Sequence, residues 1–226
     1  MNIGIGIVHA GNITFETANT LALMGYFQGK KGHEFTVIGV ESCLVDDNAN
    51  KVISQAQKLG FDYLMFLDAD IELQAPGDII GYMMEFDKDV VAGVYYQGLY
   101  PHRPVLYSFT EDIQIENYKY VPTGLTQVDA AGAGFILIKK KVLDLFTPEN
   151  DELMGKPFDP VMNGKQVQLR ADAAFFWRLK QLGVELWAQP MIPLVHIKKT
   201  KITPSFFEAS REYIESQNEK PAPNNG

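Results

Sequence analysis

The sequence has a single cysteine, Cys43, among its 226 residues. No intrachain disulfide can form, a cysteine-rich zinc site is excluded, and a reducing, cytoplasmic setting is the simplest expectation. Histidine is almost as scarce, with four residues: His9, His33, His102 and His196. No apolar run is long enough to span a bilayer, and Met1-Asn2-Ile3-Gly4 lacks the basic start of a secretory signal. A membrane-bound substrate would be met peripherally. Positive charge is in deficit, with 20 Lys and Arg against 28 Asp and Glu and a net charge of −8. A surface built to track nucleic-acid phosphates is therefore not expected, and nucleic acid is a disfavoured partner. There is no internal repeat. Gly4 and Gly6, followed by Gly11, lie inside a strand pattern at the wrong spacing for a dinucleotide fingerprint. The glycine-rich basic loop that a sugar nucleotidyltransferase places after its first strand is missing too.

The 226 residues are enough for one α/β domain with a sizeable core or for two small ones, and the hydrophobic content of 46% fits a soluble globular protein. The organising stretch is Asp62 to Leu73. Tyr63 to Leu67 is an unbroken apolar run, too short for a helix and bounded by polar residues, so it reads as a buried strand. Asp68 and Asp70 follow at once. In extended chain an i, i+2 pair turns both side chains to one side. Open α/β sheets bind ligands at the carboxyl ends of their strands. Two like charges there repel and are costly to desolvate, and a hard divalent cation relieves both costs. A bare Asp-x-Asp would otherwise be a solvated turn; its place after a buried strand favours the metal reading.

Around this stretch, strands and helices alternate. Ile3 to Val8 reads as a strand. Thr14 caps a helix whose apolar face runs from Thr17 to Phe27. Glu34 to Val40 is a second strand, and Asn48 to Leu59 is a helix ended by Gly60. Pro76-Gly77 starts a helix through about Phe86, and Val90 to Tyr95 is a strand. Tyr100 to Gly124 breaks the pattern and reads as loops with an antiparallel ribbon. Strand Ile136 to Ile138 and a short helix from Lys139 to Phe146 follow. Thr147 to Gln168 reads as an irregular, flap-like segment. Asp172 to Leu182 is an amphipathic helix ended by Gly183, Val184 to Ala188 a strand, and Pro190 to Ile197 an extended segment carrying His196. A last helix spans about 206–216. The composition of 217–226 is that of a disordered tail. The alternation implies a mostly parallel sheet with helices on both faces, in one domain over 1–216.

A lone histidine is more often a satisfied structural residue than a ligand. His196 stands out because it lies late in an α/β pattern and is followed by Lys198, Lys199 and Lys201, ammonium groups suited to a diphosphate. An acid at a helix start, such as Asp172, is by itself a cap that opposes the helix dipole.

Taken in order, the motifs resemble the GT-A glycosyltransferases. They are Asp68-x-Asp70; Val91-Ala92-Gly93-Val94-Tyr95-Tyr96 with Pro101-His102-Arg103-Pro104; Val128-Asp129-Ala130-Ala131-Gly132-Ala133-Gly134-Phe135; Asp172-x-x-Phe175-Phe176-x-Arg178 with Gly183; and His196. The resemblance runs from residue 3 to about 200 and is to the short, inverting, family-2-like type found in bacteria, archaea and viruses. It implies a nucleotide-diphosphate-sugar donor, usually UDP-linked, held with Mn²⁺ or Mg²⁺, and a glycan or other hydroxyl compound as acceptor. By position, Asp70 binds the metal, Asp68 holds the ribose or a metal-bound water, and His196 completes the metal site. His9 and Ala10, with Glu41, hold the base and ribose, and Asn50 matches a donor-contacting asparagine. The Gly132-Ala133-Gly134 loop lets backbone close on the donor sugar. Lys198 meets the diphosphate and Asp172 is the catalytic base.

Two positions depart from that pattern. Ala49 stands where the family has an arginine before the asparagine, and Ala171 where it has a glutamate before the base. They motivate a second reading, a sugar-nucleotide-binding protein with weak or no catalysis. A third reading, a phosphatase of the haloacid-dehalogenase type, also uses Asp-x-Asp after a hydrophobic strand. That class places the pair near its N-terminus, whereas here two strands come first.

Overall fold

The computed structural model describes residues 1–198 except 10, 42–43, 75–76, 99–100 and 148–154. The helix expected over 206–216, the tail over 217–226, Ala10, Lys199 and Lys201 lie outside the described residues. The elements are, in order, β1 (Asn2–His9), α1 (Phe15–Lys30), β2 (Glu34–Glu41), α2 (Val45–Leu59), β3 (Tyr63–Leu67), β4 (Ile71–Leu73), α3 (Ile79–Glu85) and β5 (Val90–Gly93). Next come β6 (Leu106–Phe109), β7 (Ile115–Asn117), β8 (Thr126–Val128), β9 (Ala130–Ala131), β10 (Phe135–Lys139) and α4 (Lys140–Leu143). The described part closes with β11 (Val161–Asn163), β12 (Gln166–Leu169), α5 (Ala171–Gln181), β13 (Leu186–Gln189) and β14 (Leu194–His196).

A seven-stranded sheet of order β2-β1-β3-β10-β5-β13-β8 forms the middle layer. Strands β1, β2, β3, β5 and β13 share one direction, while β10 and β8 oppose it. This is the expected mixed α/β architecture, a mostly parallel sheet flanked by helices. The expected antiparallel ribbon is present as β7-β6-β9.

The alternation of β3 sorts its side chains between two cores. Leu64 and Phe66 face Val52, Ile53 and Ala56 of α2 and Phe175 and Phe176 of α5. Met65 and Leu67 face Met24 of α1 and Ile79, Ile80 and Met83 of α3. Burying each such side chain is worth about 1.5–3 kcal/mol, so a strand covered on both faces is fixed in register. In β1, Ile3, Ile5 and Ile7 fill the α1 side. Gly4 and Gly6 point the other way, where a Cβ would overlap the Phe61 ring and the Val52 side chain. The glycines of that strand thus serve close packing of α2 and of the Phe61 ring just after it.

The short β4 was not foreseen. One edge pairs antiparallel with β14, setting His196 opposite Ile71 and Leu194 opposite Leu73. Among the described residues no strand lies beside its other edge, which is satisfied by threonines of α1. Buried Thr17 donates through Oγ1 to the Ile71 carbonyl (2.8 Å), and the Leu73 N–H donates to Thr20 Oγ1 (2.9 Å). Thr14 caps α1 as expected, accepting from the Thr17 N–H. Other boundaries shift: α2 begins at Val45, ahead of Asn48, and α3 begins at Ile79, capped by Asp78.

The irregular reading of 147–168 is corrected where the segment is described. There β11 and β12 form a hairpin whose turn contains Gly164 at φ +61°. The two turn residues are Gly164-Lys165, with glycine at the first central position, a two-residue hairpin signal in the sequence. Ahead of it Phe158 is buried and stacked on Phe175 at 4.4 Å. Buried Arg178 donates to the carbonyls of Pro157 (2.7 Å) and Asp159 (2.6 Å).

If the Thr17 hydroxyl supports β4, Thr17→Val, which keeps shape and removes the donor, leaves the buried Ile71 carbonyl short of a partner. The expected loss is about 1–3 kcal/mol in urea unfolding. A loss within error of zero would mean that Thr17 serves only packing.

Candidate active site

β3 ends in the centre of the sheet, and the chain turns there through Asp68-Ala69-Asp70 into β4. The turn is held from both sides. The Asp68 N–H donates to the Gly134 carbonyl (2.8 Å), the Thr14 N–H donates to the Ala69 carbonyl (2.8 Å), and the Ile197 N–H donates to the Asp70 carbonyl (2.7 Å). Both carboxylates line a cavity of about 960 Å³. Val8 and His9 at the end of β1, Asn12 to Glu16 at the start of α1, Val45, and His196 to Lys198 complete its wall.

His196 arrives on β14, and its orientation is set from behind. The Nδ1–H donates to the Tyr96 carbonyl at 2.8 Å, and Nε2 faces Asp70 Oδ2 at 3.4 Å. A backbone acceptor on one ring nitrogen leaves the other as the ligand atom, the usual support of a metal-binding imidazole. The edge of the Tyr95 ring packs against it with centroids 5.2 Å apart. Lys198 Nζ lies 2.5 Å from the same Asp70 oxygen. Burial pushes the Asp70 carboxyl up, but hydrogen bonds from His196 and Lys198 outweigh it, and its pKa falls below the ordinary value. The same hydrogen bond raises His196.

Asp68 is in the opposite state. Enclosure by protein, then the charges of Asp172 and Asp70, push its pKa up to about 7. Asp172 lies behind it, outside the cavity wall, across the bend Gly132-Ala133-Gly134. Asp172 is not the cap of α5: that position is Arg170, in extended backbone with no side-chain cap. Instead its Oδ2 accepts the Ala133 N–H at 2.9 Å. Ala171 before it has φ +43°, a left-handed conformation that costs a non-glycine residue about 1–2 kcal/mol. Burial raises the Asp172 pKa, the Ala133 N–H opposes the rise, and the charge of Asp46 adds to it.

The bend between the two acids is crowded. A Cβ at Gly134 would overlap the Asp68 carboxylate, and one at Gly132 would overlap the Tyr95 hydroxyl. The Gly134 N–H donates to that hydroxyl at 3.2 Å. The buried Tyr95 phenol has a strongly raised pKa, from burial first and then the charges of Asp68 and Asp172.

The fold therefore gathers His9, Asp68, Asp70, His196 and Lys198 around one cavity, with Gly132, Gly134 and Asp172 directly behind. Glu41 is next to His9 in register across β1 and β2 and is exposed. Asn50 is set apart. It is buried in α2, donates to Asp159 Oδ1 (2.8 Å) and accepts the Phe158 N–H (2.9 Å), so its amide anchors the segment before β11. Ala49, beside it, is buried in the core. The sequence reading missed Tyr95 as a support of the site and the start of α1 as its wall.

Among the described residues no group of three His, Cys, Asp or Glu is set closely enough to hold an ion unaided. Asp70 and His196 offer two ligand atoms on one cavity. That fits Mg²⁺ or Mn²⁺, which take one or two carboxylates and complete their shell with water and substrate phosphates. No helix among the described residues is long and apolar enough to cross a membrane.

No protein-family model matches the chain, and no curated protein sequence matches it. Its fold is similar to that of A197 from STIV, with a TM-score of 0.59 at 16% identity over 88% of this chain and 87% of that one. Two glycosyltransferases align with TM-scores of 0.49 at 12% identity. One is involved in glycosylation of the major capsid of PBCV-1 (94% of this chain, 98% of that one). The other is a mutant Drosophila β-1,4-galactosyltransferase 7 solved with manganese, UDP-Gal and xylobiose (100% and 83%).

The raised Asp68 carboxyl has a measurable consequence in metal-free buffer. The folded chain keeps that proton up to about pH 7, while the unfolded chain releases it near the ordinary carboxylate value of 3.8. Between those limits the folded state binds more protons, so this group's contribution to stability falls as pH rises. Asp68→Asn removes the titration. Its denaturation midpoint in EDTA is expected to gain on wild type from pH 5 to pH 8, and parallel pH profiles would show that Asp68 is not raised.

Proposed function

We propose that this chain is a GT-A-type glycosyltransferase, a single catalytic domain over 1–216 acting in the cytoplasm. It transfers a sugar from a nucleotide-diphosphate donor, UDP-linked by this reading, to a hydroxyl of a glycan or similar acceptor. The observation that carries the reading is the joint arrangement of three groups. The pair Asp68 and Asp70 closes a buried central strand, His196 is turned onto Asp70 by the Tyr96 carbonyl, and Asp172 is held one bend behind. The adjoining cavity of about 960 Å³ has room for a nucleotide sugar.

In this reading Asp70 and His196 hold Mn²⁺ or Mg²⁺. When bound, such an ion neutralises charge growing on the leaving diphosphate. Lys198 adds an ammonium on the same side, beside Asp70. His9 and Glu41, at adjacent strand ends, serve the nucleoside, with Ala10 between them in the chain. Asp68 takes the ribose or a bound water, and the Gly132–Gly134 bend borders the sugar. Asp172 removes the acceptor proton as the hydroxyl oxygen attacks the anomeric carbon. That attack breaks the bond to the diphosphate from the opposite face and inverts the centre. A base is most effective with its pKa near working pH, and burial moves Asp172 in that direction.

The second reading, binding without transfer, keeps one specific support: Ala49 is a core residue and the Asn50 amide is spent on Asp159 and Phe158. An arginine–asparagine contact to the donor thus has no counterpart at those positions.

Two variants separate the readings. Asp70→Ala is expected to abolish Mn²⁺-dependent UDP binding in calorimetry; binding unaffected by EDTA and by the substitution would remove the metal site. Asp172→Asn keeps the shape and the acceptor oxygen for the Ala133 N–H but cannot take a proton. Transfer, or slow UDP release from a panel of UDP-sugars, is expected to fall about 10²-fold or more with donor affinity unchanged. Wild-type turnover in Asp172→Asn would leave Asp172 a structural acid, and donor binding with no turnover in either protein would favour the second reading.

A further inference from the structure

The Asp70 carboxylate already has a cation on it. Lys198 Nζ lies 2.5 Å from Asp70 Oδ2, the same oxygen that faces His196 Nε2 at 3.4 Å. This lysine is seated. Its stem runs over Gly98, where a Cβ would overlap the lysine Cγ and Cε and press tightly on Cδ. The residue before it is tied down, since the Ile197 N–H donates to the Asp70 carbonyl at 2.7 Å. Backbone at Ile197 and stem at Gly98 together aim the ammonium at the oxygen that a divalent ion would need.

Resting on the glycosyltransferase reading, we propose that Lys198 is a tethered cation that occupies Asp70 in the empty enzyme and makes entry of the metal ion conditional on the nucleotide diphosphate. A free ion reaching Asp70 must displace an ammonium at contact distance and then sit beside the charge it displaced. Asp70 and His196 alone offer too few ligands to outweigh that repulsion. A diphosphate changes both sides of the balance. Its oxygens complete the ion's shell, and its charge receives the displaced ammonium in a charge-assisted hydrogen bond. A lysine suits this exchange, being a compact charge on a flexible four-carbon stem, whereas a guanidinium would be held by its planar fork. The consequence is an ordered site: ion and donor load together, and neither charge is left unpaired between turnovers.

Mn²⁺ binding followed by electron paramagnetic resonance tests this without any turnover. Wild type is expected to bind free Mn²⁺ weakly and to bind it far more tightly with UDP present. Lys198→Met is expected to tighten free Mn²⁺ binding by about tenfold or more, the scale of one close charge, and to shrink the coupling to UDP. Gly98→Val displaces the stem while keeping the charge, and is expected to shift free Mn²⁺ affinity in the same direction. Thermal melts report whether each variant is folded; if Gly98→Val is not, the loss of Mn²⁺–UDP coupling in Lys198→Met carries the test. Unchanged or weaker free Mn²⁺ binding in Lys198→Met overturns the proposal. Tightening in Lys198→Met with a folded Gly98→Val at wild-type affinity overturns it too, because the effect would be charge removal at a distance. Mn²⁺ bound by no protein even with UDP removes the metal reading itself, a result distinct from both.

Discussion

Asp68 and Asp172 stay within reach of each other's charge because a three-residue bend, Gly132 to Gly134, holds both. Every N–H of the bend is committed: Gly132 to the Val105 carbonyl, Ala133 to the Asp172 carboxylate, Gly134 to the Tyr95 hydroxyl. The Gly134 carbonyl takes the Asp68 N–H. The missing side chains at 132 and 134 make the room that Tyr95 and Asp68 occupy. Like charges in a partly dry site raise each other's pKa and oppose folding. The fold offsets that by sharing the charge unevenly. Asp70 is neutralised by His196 and Lys198, Asp172 is held by the Ala133 N–H and its own backbone N–H, and Asp68 is left to hold a proton.

The same arrangement explains why so much polar chemistry surrounds a three-residue strand. β4 lies beyond the main sheet, and without partners its backbone groups would be buried unpaired. It is closed on one side by β14 and on the other by Thr17 and Thr20. The start of α1 is thereby fixed against the Asp68-to-Asp70 turn and becomes a wall of the cavity. A helix that packs a core with Met24 at its middle shapes a site with Asn12 to Glu16 at its entrance.

The central strands were legible because burial on both faces writes a plain signal. Tyr63 to Leu67 could be little else, and the two acids after it had to lie at a strand end. The cap at Thr14 and the stop at Gly60 were local chemistry and could be read locally. The 161–169 hairpin is missed although Gly164-Lys165 marks its turn, because the strands on either side are short and half polar. β4 was missed for a similar reason. Its Ile71 and Leu73 alternate properly, but its partner lies far along the chain, and nothing local announces the pairing. Asn50 was read as a ligand contact from a motif, yet its partners Phe158 and Asp159 come from a stretch with no readable pattern. Tyr95 carries no signal of its own. It matters through the crowding of a bend whose glycines the sequence does show, and only three-dimensional packing says what fills the space they leave.

The pairing of β4 with β14 also bears on when the site comes into being. Asp70 and Lys198 are 128 positions apart. A chain made from its N-terminus completes strands β1 to β3 and displays both acids of the turn long before His196 and Lys198 exist. Loop closure over such a span is a late and slow event in folding. Until it happens the carboxylates have neither imidazole nor ammonium, and one edge of β4 stands open. Site assembly and the sealing of an exposed strand edge are then one step, and the ammonium that balances Asp70 arrives with the strand that closes β4.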